Sequence, residues 1–159
     1  MSTAPKTREF DLIAFDWDGT LFDVNGMGLF DGVLPMLQDL RKRQQVLTVA
    51  TGKSRKGLSE ALSTLQLQSL FGASRTADET AGKPHPLMLH ELMGEFGVPP
   101  ERTLMVGDTT HDLEMAQRAG CSSVGVSYGA HDPTQFAVWQ PRFVAHTVRE
   151  LHDWLLVNG

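Results

Sequence analysis

Short apolar runs alternate with longer amphipathic stretches along the chain, and this alternation limits the fold more than any other feature of the sequence. The apolar runs predict strands over 11–15, 46–50, 73–76, 103–107, 122–127 and 142–146. The stretches between them repeat apolar residues every three or four positions and predict helices over 32–44, 54–65, 85–96, 110–120 and 147–158. Ser54 is expected to cap the second helix and Gly120 to end the fourth. Strands that alternate with helices form βαβ units, so we predict an α/β fold whose mostly parallel sheet is covered on both faces.

Length and composition narrow the class of protein. A chain of 159 residues suits one domain, residues 1–159, with a core large enough to fold unaided. A net charge of −5 gives no reason to expect a nucleic-acid partner. No apolar run approaches the length of a membrane span, and the polar stretch at 1–10 lacks the apolar region of a signal peptide. We therefore expect a cytoplasmic protein with no membrane partner.

Polar residues follow three of the predicted strands at the point where each strand ends. Asp16 and Asp18 follow the first strand, Thr51 follows the second and Asp108 follows the run at 103–107. Because ligands of open α/β sheets bind outside the carboxyl ends of the strands, these side chains should share one site. In an extended segment residues i and i+2 point the same way, so Asp16 and Asp18 should face that site together.

Carboxylates this close need a cation, or one of them must hold a proton. Asp16, Asp18 and Asp108 offer hard oxygen ligands, which describe a Mg²⁺ site, and no His/Cys cluster with zinc spacing competes. Asp108 has an alternative interpretation as the cap of the following helix. Asp112 also has an alternative interpretation, as an ordinary acid in the first turn of that helix, where it would stabilise the helix dipole.

A Mg²⁺ ion beside a carboxylate suits the hydrolysis of phosphate esters, in which the carboxylate attacks phosphorus and forms an acyl phosphate. Lys83, in "GKPHP", would add positive charge. The Thr51 hydroxyl and the backbone N–H of Gly52 could bind phosphate oxygens. The stretch "GDTTHD" ends a strand and opens a helix, whose N-terminus favours anionic ligands.

Four motifs occur in order at these strand ends: "DWDGT" (16–20), "ATGKS" (50–54), "GKPHP" (82–86) and "GDTTHD" (107–112). With them the chain resembles the haloacid dehalogenase-like superfamily of hydrolases over essentially its whole length. Within that superfamily it is most similar to the phosphoglycolate phosphatase-type branch. The resemblance implies a Rossmann-like three-layer core and a phosphoaspartyl mechanism.

The same resemblance implies the catalytic roles. Asp16 would be the nucleophile, with its other carboxylate oxygen on Mg²⁺. Asp18 would protonate the leaving alcohol and then deprotonate the hydrolytic water, and its backbone carbonyl would also bind the metal. Members that attack carbon need no acid at this second position, so Asp18 argues against dehalogenation.

The binding roles follow from the resemblance too. Thr51 and Lys83 would hold the phosphoryl group, in addition to the backbone N–H of Gly52 considered above. Asp108 would bind Mg²⁺, and Asp112 would anchor a metal-bound water or Lys83. The implied function is a Mg²⁺-dependent phosphomonoester hydrolase acting on small esters of the phosphoglycolate type or on a broader set.

Relatives in this branch insert a helical cap after the first motif, whereas this chain has only residues 21–31 there, enough for a short flap and turn. We therefore expect no separate cap domain. Because a cap excludes water and selects substrates, an open site suggests larger or poorly discriminated esters, or a homo-oligomer in which another subunit covers the site. The alternative is a weakly catalytic, cap-deleted protein that binds phosphate and Mg²⁺ with little turnover.

Overall fold

A computed structural model describes residues 8–129 and 132–159. Most of the stretch on which the signal-peptide prediction rests, and part of the predicted domain 1–159, lie outside these residues. Among the described residues, no helix is long and apolar enough to cross a membrane.

The described residues form eight strands and five α-helices, joined by short 3₁₀ segments at 68–70, 100–102 and 133–139. In chain order the elements are β1 (Leu12–Phe15), β2 (Phe22–Asp23), β3 (Gly28–Leu29), α1 (Val33–Lys42), β4 (Val46–Thr51), α2 (Arg55–Thr64), β5 (Ala73–Thr76), α3 (Leu87–Phe96), β6 (Thr103–Gly107), α4 (Thr110–Ala119), β7 (Ser122–Val126), β8 (Phe143–Ala145) and α5 (Val148–Asn158).

Six of these strands form one sheet in the order β5-β4-β1-β6-β7-β8, and every described pair in it is parallel. The chain leaves β1 toward β4 and β5 on one side and then returns to β6 on the other. The carboxyl ends of β1, β4 and β6 therefore meet where the direction of winding reverses, which is where such sheets bind ligands.

The side chains of β1 alternate between two cores. Ile13 and Phe15 face the core that α1, α2 and α5 complete, while Leu12 and Ala14 face the core that α3 and α4 complete. All four are fully buried. A strand covered on both faces reads as a continuous apolar run, as "LIAF" does. The prediction of a Rossmann-like α/β core with a covered parallel sheet is confirmed.

Element boundaries differ from the predictions by a few residues. The first predicted helix ends at Lys42 rather than at 44, because Gln44 adopts a positive φ of 64°. The third begins at Leu87 rather than at 85, with Pro86 as its N-cap. Ser54 and Gly120 cap α2 and α4 as predicted.

Strands β2 and β3 form an antiparallel hairpin within the segment 21–31. Phe22 pairs with Leu29, and the ring of Phe22 stacks on Trp17 at a centroid distance of 5.9 Å. The backbone N–H of Phe30 donates to the carbonyl of Leu21. Residues 16–32, which are described throughout, hold no helix; besides this hairpin they contain an isolated bridge between Asp18 and Phe22.

Two glycines offer a matched test of the packing. A Cβ on Gly125 in β7 would lie 2.6 Å from Cδ2 of the buried Phe136, whereas a Cβ on Gly94 in α3 would meet nothing within 4 Å. We expect Gly125→Ala to lower the free energy of unfolding by about 1–3 kcal/mol through overpacking. Gly94→Ala should raise it by about 0.4–1 kcal/mol, because alanine restricts the unfolded chain.

Urea denaturation of the two variants measures both changes, with the denaturant dependence used to check that unfolding remains two-state. Equal stability of the two variants would contradict the tight contact between β7 and the 3₁₀ segment.

Candidate active site

Three neighbouring strands each deliver a polar side chain to the same edge of the sheet. Asp16 follows β1, Thr51 ends β4 and Asp108 follows β6, and all three side chains are buried. The backbone N–H of Asp16 donates to the carbonyl of Val106 at 2.9 Å, which fixes its position beside β6. The sequence prediction that these residues share one site is consistent with this placement.

The loop after β1 turns sharply and lies directly against Asp108. The backbone N–H of Leu21 donates to the carbonyl of Trp17 at 3.0 Å, and that of Gly19 donates to the carbonyl of Phe22 at 2.9 Å. Gly19 has a φ of +83°, and a Cβ there would overlap the Asp108 carboxylate. Only glycine permits both this backbone conformation and this close approach.

Three buried carboxylates, from Asp16, Asp108 and Asp112, place one oxygen each within 4.8 Å of one another. Burial raises the pKa of Asp16 well above its ordinary value, and the charges of Asp112 and Asp108 raise it further, while Lys83 opposes the shift. Asp16 is therefore held in a site that favours a compensating cation.

The ammonium group of Lys83 is one such cation, and it lies behind the pocket. Its Nζ lies 3.1 Å from Asp16 Oδ1 and 2.5 Å from Asp112 Oδ1. Burial lowers the pKa of Lys83, but the two carboxylates outweigh that effect, so the net pKa is raised and the ammonium stays charged.

Asp112 uses both carboxylate oxygens. Oδ1 accepts from Lys83, while Oδ2 accepts from the backbone N–H and the hydroxyl of Thr109. The Thr109 hydroxyl in turn accepts from the backbone N–H of Asp112 at 3.3 Å, so the two residues form a capping box at the start of α4. Thr109, and not Asp108, is the cap of this helix, which removes the capping interpretation of Asp108.

The loop that carries Lys83 is tied to the start of α2 by Arg55. The Arg55 guanidinium donates to Glu79 Oε1 at 2.7 Å and to Ser74 Oγ at 2.8 Å. Its backbone N–H donates to Asp78 Oδ1 at 3.0 Å. These contacts join the segment after Thr51 to the segment before Lys83.

The last residue of β4 and the residues that follow it form the mouth of the site. The Thr51 hydroxyl accepts from the backbone N–H of Lys53 at 3.1 Å, and Gly52 is exposed beside it. Lys53 Nζ lies 3.4 Å from Asp18 Oδ2. Sequence reasoning missed Lys53, although its position two residues after Thr51 in "ATGKS" was the available signal.

A pocket of about 290 Å³ opens at this edge of the sheet, lined by Asp16, Asp18, Thr51, Gly52, Lys53, Asp108 and Thr109. Lys83 and Asp112 lie behind it rather than in its wall. The structure brings Asp16 and Asp108 together but places Asp112, and not the carboxylate of Asp18, beside them. Asp18 instead turns toward Lys53.

A larger cavity of about 590 Å³ lies between the hairpin and the start of α5, where Asp23, Phe30, Tyr128 and Arg149 line it. It contains none of the three clustered carboxylates, so its volume alone does not make it the reactive site. The smaller pocket combines carboxylates, a hydroxyl and a lysine, the groups that metal and phosphate chemistry require.

The donor set fits a hard divalent cation. Asp16 and Asp108 line the pocket with buried carboxylates. Burial, and then the charges of Asp112 and Asp108, raise the pKa of Asp16, and a bound cation would oppose that shift. Asp112 is already engaged by Lys83 and Thr109. Asp16 and Asp108 are thus the side chains that could hold Mg²⁺.

The family model for haloacid dehalogenase-like hydrolases matches residues 23–126, well over half of the chain. The matched region includes Thr51, Lys83, Asp108 and Asp112, and it begins after Asp16 and Asp18.

Curated relatives point the same way. The chain is 37% identical over 124 residues to a probable phosphatase, IndB, of Dickeya dadantii, covering 77% of this chain and 54% of the relative. It is 33% identical over 117 residues to a phosphoglycolate phosphatase of Pasteurella multocida, covering 73% of this chain and 52% of the relative. The chain thus spans about half the length of the curated relatives it matches.

Among solved structures, a HAD family hydrolase from Deinococcus radiodurans, determined with bound phosphate and sodium, superposes on this chain with a TM-score of 0.84. It is 17% identical and the match covers 96% of this chain and 98% of that one, so it supports the fold. The chain belongs to the family of haloacid dehalogenase-like hydrolases.

Proposed function

We propose that this chain is a phosphomonoester hydrolase that requires Mg²⁺ and acts through a phosphoaspartyl intermediate on Asp16. The observation that carries the proposal is the position of Asp16, in the wall of the pocket, beside Asp108 and paired with the buried Lys83. Relatives named as phosphatases support the reaction class.

In the first step an oxygen of Asp16 attacks phosphorus while the bond between phosphorus and the ester oxygen breaks. Asp16 Oδ1 accepts from the backbone N–H of Trp17 at 2.7 Å and lies 3.1 Å from Lys83 Nζ, so the carboxylate is oriented before substrate arrives. Asp18, which lines the same pocket, donates a proton to the leaving alcohol.

In the second step water attacks the phosphorus of the acyl phosphate, which releases inorganic phosphate and restores the Asp16 carboxylate. Asp18, now ionised, accepts the proton of that water. Thr51 and Gly52 hold the phosphoryl oxygens from the wall of the pocket, and the charge of Lys83 attracts them from behind it. Asp112 positions Lys83 through their direct contact.

Asp16 and Asp108 would hold Mg²⁺, together with the backbone carbonyl of Asp18. When bound, the ion neutralises part of the charge of the carboxylates and of the phosphoryl group. By similarity to the relatives, phosphoglycolate-type small esters are candidate substrates. No hairpin residue is among the described residues that line the pocket, which favours a broad substrate range or cover from a second copy of the chain.

Replacement of the nucleophile is the first test. Asp16→Asn should lower the rate of Mg²⁺-dependent phosphate release from an aryl phosphate by about 10³-fold or more, because the covalent step is lost. Asp153→Asn, at an exposed position on α5, is the matched control and should leave the rate unchanged. Full activity in Asp16→Asn would refute the mechanism. Mg²⁺ binding without turnover by the unaltered chain would favour a binding protein instead.

Asp18→Asn separates the two chemical steps. Nitrophenolate leaves without a proton, so the first step on nitrophenyl phosphate should continue, whereas hydrolysis of the intermediate should slow by about 10²–10⁴-fold. Rapid mixing should then reveal a burst of nitrophenolate close to one equivalent per enzyme. A linear time course with no burst and with unchanged turnover would argue against Asp18 as the acid and base.

The metal can be tested apart from turnover. Calorimetry should show that Asp108→Asn weakens Mg²⁺ binding by at least about 10-fold, because a carboxylate ligand is lost. In the unaltered chain the affinity should fall as the pH is lowered toward the raised pKa of Asp16, since a proton then competes with the ion. A Mg²⁺ affinity that changed neither in Asp108→Asn nor with pH would show that the metal binds away from Asp16 and Asp108.

A further inference from the structure

The site holds two lysines at different depths. Lys83 is 9% exposed and contacts Asp16, which is 11% exposed, at the inner end of the site. Lys53 is 29% exposed and contacts Asp18, which is 42% exposed, at the mouth. The inner lysine serves the phosphoryl group in the proposed function, and the outer one has no role there.

Lys53 is the one cationic side chain among the described residues that line the pocket, where Asp16, Asp18 and Asp108 are its anionic counterparts. The bond from its backbone N–H to the Thr51 hydroxyl fixes the residue at the mouth. The contact with Asp18 is long, at 3.4 Å, and both partners are accessible to solvent. Such exposed pairs contribute little free energy, so another anion can replace Asp18 as the partner of Lys53.

The position of Asp18 gives Lys53 its orientation relative to a substrate. In the proposed reaction Asp18 protonates the leaving oxygen, so the leaving alcohol lies beside its carboxylate. The Nζ of Lys53, in contact with that carboxylate, therefore lies on the side of the alcohol. Lys83 does not reach that side, because Asp16 and Asp112 hold it at the inner end.

We propose that Lys53 determines specificity by binding an anionic group on the leaving alcohol, so that the preferred substrates are phosphate monoesters bearing a second anion, a carboxylate or a further phosphate. This inference rests on the proposed function, which fixes where the alcohol lies. Without Lys53, the second anion would face the carboxylate of Asp18 while no cation remained among the described residues that line the pocket. When the anion binds Lys53, Asp18 is released for its contact with the leaving oxygen.

The test compares kcat/KM for three alkyl phosphates of similar size, whose alcohols carry no charge, a carboxylate or a second phosphate. Lys53→Gln should lower kcat/KM by about 10- to 100-fold on the charged esters, the usual effect of losing a charged hydrogen bond. On the neutral ester the change should stay below about 3-fold, as for an exposed ion pair. Whichever charged ester loses more identifies the anion that Lys53 binds.

Two further variants control for charge and folding. Lys53→Arg keeps the cation and should retain most of the preference for charged esters. Lys56→Gln removes a charge from an exposed position on α2 and should leave the ratio between esters unchanged. An equal loss on all three esters in Lys53→Gln, or no loss on any, would overturn the proposal.

Failure of the proposed function would be recognised separately, because the unaltered chain would then release phosphate from none of the esters. In that case calorimetry with phosphonoacetate and with ethylphosphonate, which are not hydrolysed, tests the same contact. Tighter binding of phosphonoacetate that is lost in Lys53→Gln would support the anion site. Equal binding of the two phosphonates, or a preference that persists in Lys53→Gln, would overturn it.

Discussion

The buried ammonium of Lys83 between Asp16 and Asp112 is the interaction on which the rest of the site depends. Three carboxylates crowded away from water repel one another, and removing charges from water is itself costly. Lys83 offsets part of that charge without occupying the pocket, so Asp16 remains accessible. It also joins segments that lie far apart in the chain: the end of β1, the loop before α3 and the first turn of α4.

The order of the strands in the sheet brings the groups of the site together. With β1 between β4 and β6, the residues that follow these strands are neighbours, although dozens of positions separate them in sequence. The two cores hold β1 rigidly from both faces, so the backbone that carries Asp16 at the end of the strand has a fixed position. Reactive groups held on rigid elements lose less freedom when a ligand binds.

Much of this could be predicted from sequence, because the signals are local. Asp16, Thr51 and Asp108 each follow an apolar run, and a parallel sheet brings such ends together. The pair of Lys53 and Asp18 joins residues 35 positions apart, and no periodicity marks it. Asp108 and Thr109 are both residue types that cap helices, so only the backbone geometry decides between them. The 3₁₀ segment 133–139 lacks the 3.6-residue repeat that predicts helices.

The hairpin of β2 and β3 has a consequence for how such a chain can change in length. Its tip, with Val24 and Met27, is exposed and lies outside the six-stranded sheet. Closing a longer loop at that point costs about 0.6 kcal/mol for each doubling of its length, which is small beside the stability of a domain. Many residues could thus be gained or lost at the tip while the core keeps its fold, so the structure around the larger cavity is free to vary independently of the chemistry at the clustered carboxylates.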